Sequence, residues 1–468
     1  MFRAACERWH QEWHLDERRK RQAEDDLENG LADSYAEVRR RQWKRLRSIQ
    51  LQPVLQRLLG DAARFRSVQQ PALEAIMAGR SPIAVVMPTG SGKSMLFMLP
   101  ASVTALRTTV VVVSSERQRQ RQRDLIQRCE RLNISASSWD SAQWTTTSQL
   151  VFVTREAAMT VHFGMWLAGL QTTGRLDRIV VDECHTMVRE STALQARMAM
   201  LGDPVENTVE NMLWDALRKL AANGVQVVML MSTLPSADEK WLCQLMRIQR
   251  PHLAMFRAPT TRGNIRYSVQ PFAPGQRTEA VVALVRRQRE RGPGKTIVYC
   301  RQTGGVKKLA EALGCSGYHA KTANKDEILA KLTEGKSSTI VATNALGTGI
   351  DWSDVRLVIH VGVGESEKEA MGLDEYAQES GRAGRDGQPA EAVILVPEGG
   401  RRPRLANQSM AHQRMLGLMY GPQMCRRVLL SGGCLDEPEP EQQAACGKDD
   451  QPCDICSSAA TTRRGTGA

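Results

Sequence analysis

The chain has 468 residues, of which 42% are hydrophobic and 24% charged, and its formal net charge is +12. This length allows two to four domains with cores of their own, and the composition is typical of a globular protein. No apolar run long enough to cross a membrane and no signal-peptide stretch is present, so neither is predicted. The positive charge favours a polyanionic partner such as nucleic acid, although a basic protein without such a partner fits the charge alone equally well.

Residues 1–60 are predicted to form a basic helical segment. They are rich in Arg, Gln and Glu, and their candidate buried positions include Trp43 and Leu46. Basic runs lie at 18–21 and 39–47. These runs fit nuclear import or contact with a DNA backbone, but also a solvated helix face, because acidic residues alternate with the basic ones.

Short β-branched apolar runs alternate with helical stretches from about residue 61 onward. Such runs predict a parallel sheet covered by helices on both faces. They form two sets on either side of the stretch at 259–263, so the predicted fold class is α/β, with domains over 61–258 and 262–400. A small helical, cysteine-bearing subdomain over 401–457 and a disordered tail over 458–468 are predicted to follow. The predicted strands are 83–87, 109–113, 150–153, 178–181, 225–231, 265–269, 296–299, 338–341, 357–361 and 392–396.

A glycine-rich turn follows the first predicted strand and leads into a helical stretch. A strand, a turn and a helix N-terminus in this order present backbone N–H groups and a positive dipole end to a polyphosphate. In such a loop Lys93 would reach the β- and γ-phosphates, and the Ser94 hydroxyl would bind Mg²⁺. Met87 replaces the first glycine of the usual pattern, and the alternative is a tight turn with an exposed lysine. The predicted phosphate loop consists of Pro88, Thr89, Gly90, Ser91, Gly92, Lys93 and Ser94.

The tetrad Asp182-Glu183-Cys184-His185 follows the predicted strand at 178–181. An acidic pair at the carboxyl end of a buried strand can hold Mg²⁺ and the attacking water of phosphoryl transfer. We expect Asp182 to hold the ion, directly or through water, and Glu183 to orient and deprotonate the water. His185 is a further candidate at the nucleotide site, although a single histidine is more often structural.

With these two motifs the chain resembles a superfamily 2 helicase, and its other motifs resemble those of the RecQ family. The stretch at 65–70, Phe-Arg-Ser-Val-Gln-Gln, is similar to the RecQ element in which a glutamine amide reads the adenine edge. Gln69 is the matching position and Arg66 lies in the same element, so the resemblance implies that both contact the nucleotide. An amide paired with N6 and N7 of adenine would favour ATP over GTP.

The stretch at 376–387, Tyr-Ala-Gln-Glu-Ser-Gly-Arg-Ala-Gly-Arg-Asp-Gly, resembles the RecQ form of motif VI over twelve consecutive positions. The resemblance implies that Arg382 and Arg385 act as arginine fingers, which stabilise charge in the transition state. They lie three residues apart and would share one face if the stretch is helical. Gln378, in the same motif, is a further candidate for the catalytic site.

Three more stretches resemble family motifs: 231–235 motif III, 297–301 motif IV and 341–351 motif V. In the family, motif III couples ATP to DNA, and motif V contacts the DNA backbone and the nucleotide. The resemblance therefore implies a nucleotide contact at Asp351. The order of all these motifs along the chain carries more weight than any one of them.

Three stretches depart from the family pattern. The Ser-Pro-Leu of motif Ia is replaced by the residues at 114–116, Ser-Ser-Glu, and Thr-Pro-Glu by those at 154–156, Thr-Arg-Glu. Both elements hold DNA phosphates in the family, so some of those contacts are in question. The loop that is rich in aromatic residues in bacterial members has none here, at 186–192. This loop and the tetrad Asp182-Glu183-Cys184-His185, which stands in place of Asp-Glu-Ala-His, are more similar to the RecQ-like helicases of fungal genomes, including telomere-linked ones.

Five of the eleven cysteines lie between Cys425 and Cys456, whereas the other six are isolated, as is usual for reduced thiols of a cytosolic or nuclear protein. The cluster resembles the zinc-binding subdomain of RecQ helicases, and four thiolates in a tetrahedron satisfy Zn²⁺. The implied ligands are Cys425, Cys446, Cys453 and Cys456. Cys434 could take the place of Cys446, and the alternative to a metal site is a set of thiols without a metal.

The resemblance implies tandem RecA-like domains that bind ATP between them and move along single-stranded DNA in the 3′-to-5′ direction. The expected cofactors are ATP, Mg²⁺ and Zn²⁺, and the expected partners are single-stranded DNA and duplex junctions. The expected location is the nucleus, in DNA repair or recombination. Two alternatives are a DNA-stimulated ATPase or translocase that does not separate strands, and a non-catalytic DNA-binding fragment.

Overall fold

The structure is a computed structural model, which describes residues 40–104, 106–113, 118–140, 148–191, 209–346, 352–363, 371–399, 410–421, 424–431 and 445–458. No helix among these residues is long and apolar enough to span a membrane. Some predicted features lie outside the described residues: the basic run at 18–21, motif Ia at 114–116, residues 347–351 of motif V with Asp351, Cys434 and the tail at 459–468.

A parallel sheet of seven strands forms the centre of the first domain. Its strands are β1 (Ile83–Val86), β2 (Thr108–Val113), β3 (Ala136–Ser138), β4 (Leu150–Thr154), β5 (Leu176–Asp182), β6 (Gln226–Met231) and β7 (Ala254–Arg257). Their order is β3-β4-β2-β5-β6-β1-β7, and all the pairings are parallel. Strands β2, β5 and β6 are buried along their whole length, as expected for continuous apolar runs in a sheet covered on both faces.

Helices cover both faces of this sheet, each over its own apolar core. They are α1 (residues 40–47), α2 (Leu51–Leu59), α3 (Gln69–Met77), α4 (Met95–Val103), α5 (Gln118–Arg131), α6 (Arg155–Ala158), α7 (Val161–Thr172), α8 (residues 184–191), α9 (Val209–Ala222) and α10 (Ser236–Met246). Helices α1 to α5 contribute to one core and α7 to α10 to the other.

The second domain is built on a parallel sheet of six strands. Its strands are β8 (Ile265–Phe272), β9 (Lys295–Cys300), β10 (Ser316–Tyr318), β11 (Thr339–Ala342), β12 (Val355–Val361) and β13 (Ala390–Pro397), in the order β10-β11-β9-β12-β13-β8. Helices α11 (Arg277–Arg291) and α12 (Thr303–Leu313) pack on one face. Helices α13 (Lys325–Thr333), α14 (Leu373–Ser380), α15 (Met410–Tyr420) and α16 (Arg426–Ser431) pack on the other, and a short helix, α17, spans residues 454–458.

The predicted α/β class with two parallel-sheet domains is confirmed, and every predicted strand overlaps an observed one. Three further strands, β3, β7 and β10, were not predicted. They lie at the edges of the two sheets, and most of their residues are only half-buried. A short edge strand needs no continuous apolar run, so it leaves little signal in the sequence.

Helix α1 packs against the first domain through both apolar and charged groups. Leu46 is fully buried in the core that α2 and α3 share. The Gln42 side-chain amide donates to the Asp177 carboxylate over 2.7 Å, and Asp177 forms a 2.6 Å ion pair with Arg178. Both members of that pair are fully buried, and the Arg178 guanidinium lies over the Trp43 ring. Residues 40–60, predicted as part of a separate N-terminal segment, therefore complete a buried charged cluster of the first domain.

Replacement of Gln42 by alanine is expected to lower the free energy of unfolding of the first domain by about 1–3 kcal/mol, because a buried carboxylate loses a hydrogen-bond donor. Urea denaturation followed by tryptophan fluorescence measures the change. Arg47→Ala is the matched control on the same helix, since Arg47 is exposed and its loss should cost no more than about 0.5 kcal/mol. Equal effects of the two substitutions would contradict a structural role for the Gln42–Asp177 contact.

Candidate active site between the two domains

The phosphate loop follows β1 and is closed by a tight turn. Ser91 donates to the Pro88 carbonyl through both its N–H, over 3.2 Å, and its hydroxyl, over 2.6 Å. Gly90 and Gly92 have φ values of +80° and +89°, which residues with a side chain rarely adopt. A Cβ on Gly90 would also lie 2.8 Å from Cγ of Arg385. The loop thus needs glycine at both positions, and it touches the second domain.

The Gln69 side chain holds this loop against helix α3. Its Nε2 donates to the carbonyls of Ser91, over 3.1 Å, and Gly92, over 3.0 Å. Its Oε1 accepts the backbone N–H of Arg66 over 2.7 Å, and the residue is only 4% exposed. In this arrangement the Gln69 amide stabilises the loop. Adenine recognition by Gln69 stays a prediction. It would require Gln69 to exchange some of these hydrogen bonds for hydrogen bonds to the base.

Lys93 and Ser94 lie where the loop enters helix α4. The Lys93 ammonium donates to the Met87 carbonyl over 2.9 Å, which directs it back across the loop. Ser94 is the N-cap residue of α4, but its side chain makes no capping hydrogen bond. The Lys93 side chain therefore lies against the start of the phosphate loop.

The acidic pair stands at the carboxyl end of β5. Asp182 is 3% exposed and accepts the backbone N–H of Glu183 over 3.1 Å. Glu183 itself has a φ of +54°, a conformation that is strained for a residue with a side chain and that concentrates at functional sites. Its carboxylate oxygen Oε2 lies 3.4 Å from Nδ1 of His185.

His185 connects the two domains. Its Nε2 lies 3.1 Å from Nε2 of Gln378, in the second domain, and 3.5 Å from the hydroxyl of Ser232, to which Gln378 also donates over 3.0 Å. Burial lowers the pKa of His185 to about 4, so the ring is neutral near pH 7. An amide NH₂ can only donate. With Gln378 placed this way, Nε2 of His185 is the acceptor, so the proton of the neutral ring is on Nδ1, which lies 3.4 Å from Glu183 Oε2.

The neutral state of His185 predicts a dependence of stability on pH. Its pKa of about 4 in the folded protein lies below the 6.5 of an ordinary histidine, so the unfolded chain binds a proton first. The stabilisation is complete above pH 6.5 and is lost as the pH falls towards about 4. Urea denaturation at several pH values should show this loss, and a His185→Asn variant should show a smaller one. Identical slopes for the two proteins would contradict the buried neutral histidine.

The turn that carries Arg382 and Arg385 lies against the phosphate loop. Helix α14 ends at Ser380, and residues 381–386 form turns, so the two arginines do not share a helical face as their spacing suggested. Gly384 has a φ of +55°, outside the right-handed helical region, so this part of the turn is not helical. The Arg385 side chain packs against Gly90, at the position where a Cβ on Gly90 would lie.

Arg66 joins the same contact from the first domain. Its guanidinium donates to the carbonyls of Gly90, over 3.4 Å, and Arg385, over 3.5 Å. Arg66, Lys93 and Arg385 thus bring positive charge from both domains to one cleft. Such a concentration of cations around a loop of backbone N–H groups is suited to a polyphosphate.

Arg189 is a residue of this cleft that the motifs did not reveal. It lies on α8, pairs with Asp374 at the start of α14, and lies 3.7 Å from Asp238 and 3.4 Å from the Thr233 hydroxyl. Arg189 therefore joins the stretch that follows the acidic tetrad to the second domain. This stretch, at 186–192, is the one that has no aromatic residue. A single arginine in a polar helix gives no signal in the sequence that distinguishes it from a solvated one.

The element at 154–156 is partly engaged within the first domain. The Thr154 hydroxyl accepts the N–H of Ala157 over 3.1 Å and caps helix α6. The Arg155 guanidinium pairs with Glu190 and lies 3.9 Å from Glu156. The positive charge that replaces proline here is therefore balanced by carboxylates of its own domain.

The four cysteines predicted as metal ligands lie together. Sulfur atoms of Cys425, Cys446, Cys453 and Cys456 all lie within 4.8 Å of one another, with Cys425 Sγ 3.6 Å from Cys446 Sγ and 3.9 Å from Cys453 Sγ. A tetrahedron of thiolates around Zn²⁺, with bonds of about 2.3 Å, has S–S distances of about 3.8 Å. Backbone N–H groups of Cys446, Cys453 and Cys456 also point to sulfur atoms of the cluster. The described cluster fits a tetrahedral metal ion, with Cys446 as its fourth member.

Two family models match the chain, one in each domain. The DEAD/DEAH box helicase model matches residues 66–239, and the helicase conserved C-terminal domain model matches residues 276–387. The first match contains the phosphate loop and the acidic pair, and the second contains the turn with Arg382 and Arg385. Both halves of the cleft thus fall within the matched segments.

Several curated proteins are similar to most of the chain. An ATP-dependent DNA helicase Q5 of Rattus norvegicus is 28% identical over 369 residues, which are 74% of this chain and 36% of that protein. The ATP-dependent DNA helicase RecQ of Pasteurella multocida is 26% identical over 422 residues, which are 84% of this chain and 60% of that protein. The chain therefore spans between about one third and three fifths of the length of these relatives.

Solved structures share the arrangement of the two domains. Dbp5 of S. cerevisiae, bound to RNA and ADP BeF3, superposes with a TM-score of 0.54 over 75% of this chain and 88% of that one, at 15% sequence identity. At this identity the likeness concerns the fold. It shows that the two parallel sheets form a tandem RecA-like fold.

Proposed function

Because the chain belongs to the RecQ family of superfamily 2 helicases, we propose that it hydrolyses ATP between its two domains and uses this reaction to move along DNA and separate its strands. The observation that carries the proposal is the direct contact between the two halves of the cleft, where Arg385 packs on Gly90 and Gln378 reaches His185. A nucleotide held at this contact touches both domains. Hydrolysis of this nucleotide would therefore change the distance between the two domains.

The phosphate loop and the acidic pair would hold the nucleotide and Mg²⁺. The Ser94 hydroxyl and the Asp182 carboxylate are the hard oxygen donors that Mg²⁺ prefers. When bound, the ion supplies charge neutralisation at the β- and γ-phosphates. Lys93 would pair with the same phosphates, in exchange for the Met87 carbonyl that it contacts in this structure.

Glu183 would act as the general base that orients the attacking water and takes its proton. Its Oε2 lies 3.4 Å from Nδ1 of His185, whose other nitrogen accepts from Gln378. This chain of contacts is complete only when the second domain is in place. Arg382 and Arg385 would then stabilise the charge that develops on the transferred phosphoryl group.

DNA is the proposed partner because the relatives are named as DNA helicases and the chain carries a net charge of +12. A positive surface gains affinity for a phosphate backbone by releasing counterions. We further propose 3′-to-5′ movement on single-stranded DNA and a nuclear location, as the family resemblance implies. Unwinding of substrates with a single-stranded tail on either the 3′ or the 5′ side decides the direction.

The decisive experiment measures ATP hydrolysis with and without single-stranded DNA, beside strand displacement from a tailed duplex. We expect hydrolysis to rise with DNA and to disappear in a Lys93→Ala variant. Equal DNA-stimulated phosphate release by the variant and the parent protein would end the proposal of a motor.

A DNA-stimulated ATPase that does not separate strands is the second candidate. The observation that favours it is the ion pair between Arg155 and Glu190. Arg155 belongs to the element at 154–156, which holds DNA phosphates in the family. In this chain its side chain contacts a carboxylate of the first domain. Hydrolysis that depends on DNA but displaces no strand, in the two assays above, would favour this candidate over the helicase.

We also propose that the four-cysteine cluster holds Zn²⁺ in the native protein. The purified chain should then contain about one equivalent of zinc, because four thiolates complete a structural site. Cys453→Ser should remove the metal and lower the melting temperature, whereas Cys315→Ser, at a half-buried thiol remote from the cluster in sequence, should change neither. Elemental analysis and thermal denaturation measure both. A folded parent protein without metal would exclude this site.

A further inference from the structure

The linker between the two domains, residues 258–264, contacts the turn that carries the proposed arginine fingers. Arg262, three residues before β8, extends its guanidinium to the backbone of this turn. It donates to the carbonyls of Gly381, over 2.8 Å, and Gly384, over 3.2 Å, and also to that of Ala383. One side chain therefore holds three of the carbonyls around Arg382.

Asn264 holds the far end of the same turn. Its Nδ2 donates to the carbonyls of Gly384, over 2.7 Å, and Gln388, over 2.8 Å, and its own carbonyl accepts the N–H of Ala390 over 2.9 Å. A Cβ on Gly384 would collide with the Asn264 side chain. Arg385 lies between the two carbonyls to which Asn264 donates, so the linker holds the backbone on both sides of it.

The cysteine-bearing subdomain contacts the linker from the other side through Arg427. This residue is 2% exposed and lies two positions after Cys425. Its guanidinium donates to the carbonyls of Arg262, over 2.8 Å, and Gly263, over 2.9 Å. It also donates to Gln451, two residues before Cys453, over 3.0 Å.

Gly263 allows this close approach. A Cβ at this position would lie 2.8 Å from the Asp450 carboxylate, and its carbonyl accepts the N–H of Gln451 over 2.6 Å. The linker thus lies between the turn on one side and the subdomain on the other. The contacts form one continuous path from the cysteines to the turn: Cys425, Arg427, the Arg262 backbone, the Arg262 side chain and the Gly381–Gly384 carbonyls.

The turn needs such a restraint because it contains glycine at 381, 384 and 387. Glycine leaves a backbone more conformational freedom than any other residue. A catalytic group that is misplaced by about 1 Å can lose about a hundredfold in rate. The planar guanidinium of Arg262 presents several N–H groups in a fixed geometry, which suits it to hold neighbouring carbonyls at one relative position.

We propose that Arg262 is a positioning residue for ATP hydrolysis, which holds the turn bearing Arg382 and Arg385 and is itself held by the cysteine-bearing subdomain through Arg427. The inference rests on the proposed function as far as hydrolysis is concerned. The restraint on the turn is a separate consequence that a measurement without ATP can detect. Arg262 acts through the backbone of the turn, and nothing in the contacts requires it to touch the nucleotide.

The kinetic test compares the full chain with Arg262→Ala, Arg262→Lys and the control Arg287→Ala. Arg287 lies on α11 of the same domain, pairs with Glu391 on β13 and, among the described residues, makes no hydrogen bond to the turn. We expect kcat to fall about a hundredfold in Arg262→Ala, with an unchanged Kd for a fluorescent, non-hydrolysable ATP analogue, because the phosphate loop is intact. Arg262→Lys should recover part of kcat, since it keeps the charge but not the fork. Arg287→Ala should match the parent protein.

The structural test is hydrogen–deuterium exchange of peptides that cover residues 381–388, without nucleotide. Exchange at these residues should be faster in Arg262→Ala and in Arg427→Met than in the parent protein, with the zinc content unchanged. Exchange in Arg287→Ala should equal that of the parent protein. Unchanged exchange in Arg262→Ala would overturn the restraint. If the parent protein hydrolyses ATP and Arg262→Ala keeps its kcat, or loses kcat and analogue binding together, the positioning role is overturned and the proposed function stands. Failure of the parent protein to hydrolyse ATP would instead refute the proposed function.

Discussion

Substitution of Glu183 by glutamine is expected to lower kcat for ATP hydrolysis by about 10²–10⁴-fold, the usual contribution of a general base. Glutamine keeps the size of the side chain and can still contact His185, but it cannot take the proton of the attacking water. Affinity for a non-hydrolysable ATP analogue should stay within the range of the parent protein, because Glu183 is not among the proposed ligands of the phosphates. Steady-state hydrolysis in the presence of single-stranded DNA measures the first quantity and fluorescence titration the second.

Glu130→Gln is the matched control for this experiment. Glu130 lies on α5 of the same domain, is exposed, and belongs to none of the motifs. The control should hydrolyse ATP like the parent protein. A Glu183→Gln variant as active as this control would remove Glu183 from the catalytic role, and the strained backbone at this residue would need another explanation.

Loss of the Arg385 side chain should have the second large effect. An arginine finger contributes about 10³–10⁵-fold to the rate in related phosphoryl-transfer sites. We therefore expect Arg385→Ala to lower kcat by at least about 10³-fold, because Arg385 lies against Gly90 of the phosphate loop. Arg385→Lys should recover only a fraction, since a lysine cannot form two parallel hydrogen bonds to phosphate oxygens.

Arg286→Ala serves as the control for Arg385. Arg286 belongs to the same domain, is 79% exposed and pairs with Glu290 one helical turn away. Surface pairs of this kind contribute little to stability. If Arg385→Ala lowered the affinity for the ATP analogue and left kcat unchanged, Arg385 would be a binding residue of the ground state and not an arginine finger.

The two substitutions test opposite walls of one cleft. Glu183 belongs to the first domain and Arg385 to the second, and the His185–Gln378 contact and the Arg189–Asp374 ion pair join these domains beside them. Each of these contacts exists only when the domains approach. Under the proposed function, these contacts would form and break as the cleft closes and opens around the nucleotide.

The amino-acid sequence by itself determined the parts of this protein whose signal is local. The phosphate loop, the acidic tetrad and the motif at 376–387 are continuous stretches in which spacing and residue type are set by a single turn or strand end. The core strands are likewise local, because a strand buried on both faces must be apolar along its whole length. These features predicted the two α/β domains, and they named candidate site residues such as Gln378 and His185, which lie beside each other in the structure.

Other features depend on residues that are far apart in the chain, and only the tertiary structure decided them. Arg262 and the Gly381 carbonyl are 119 residues apart, and Arg189 and Asp374 are 185 apart. A single arginine gives no sign of which distant carbonyl or carboxylate it will meet. The end of helix α14 at Ser380, before Arg382, was also seen only in the tertiary structure, where Arg262 of the linker donates to the carbonyls of Gly381 and Gly384. The motifs therefore named the groups of the proposed chemistry, and long-range contacts through the linker and the cysteine cluster determined where those groups stand.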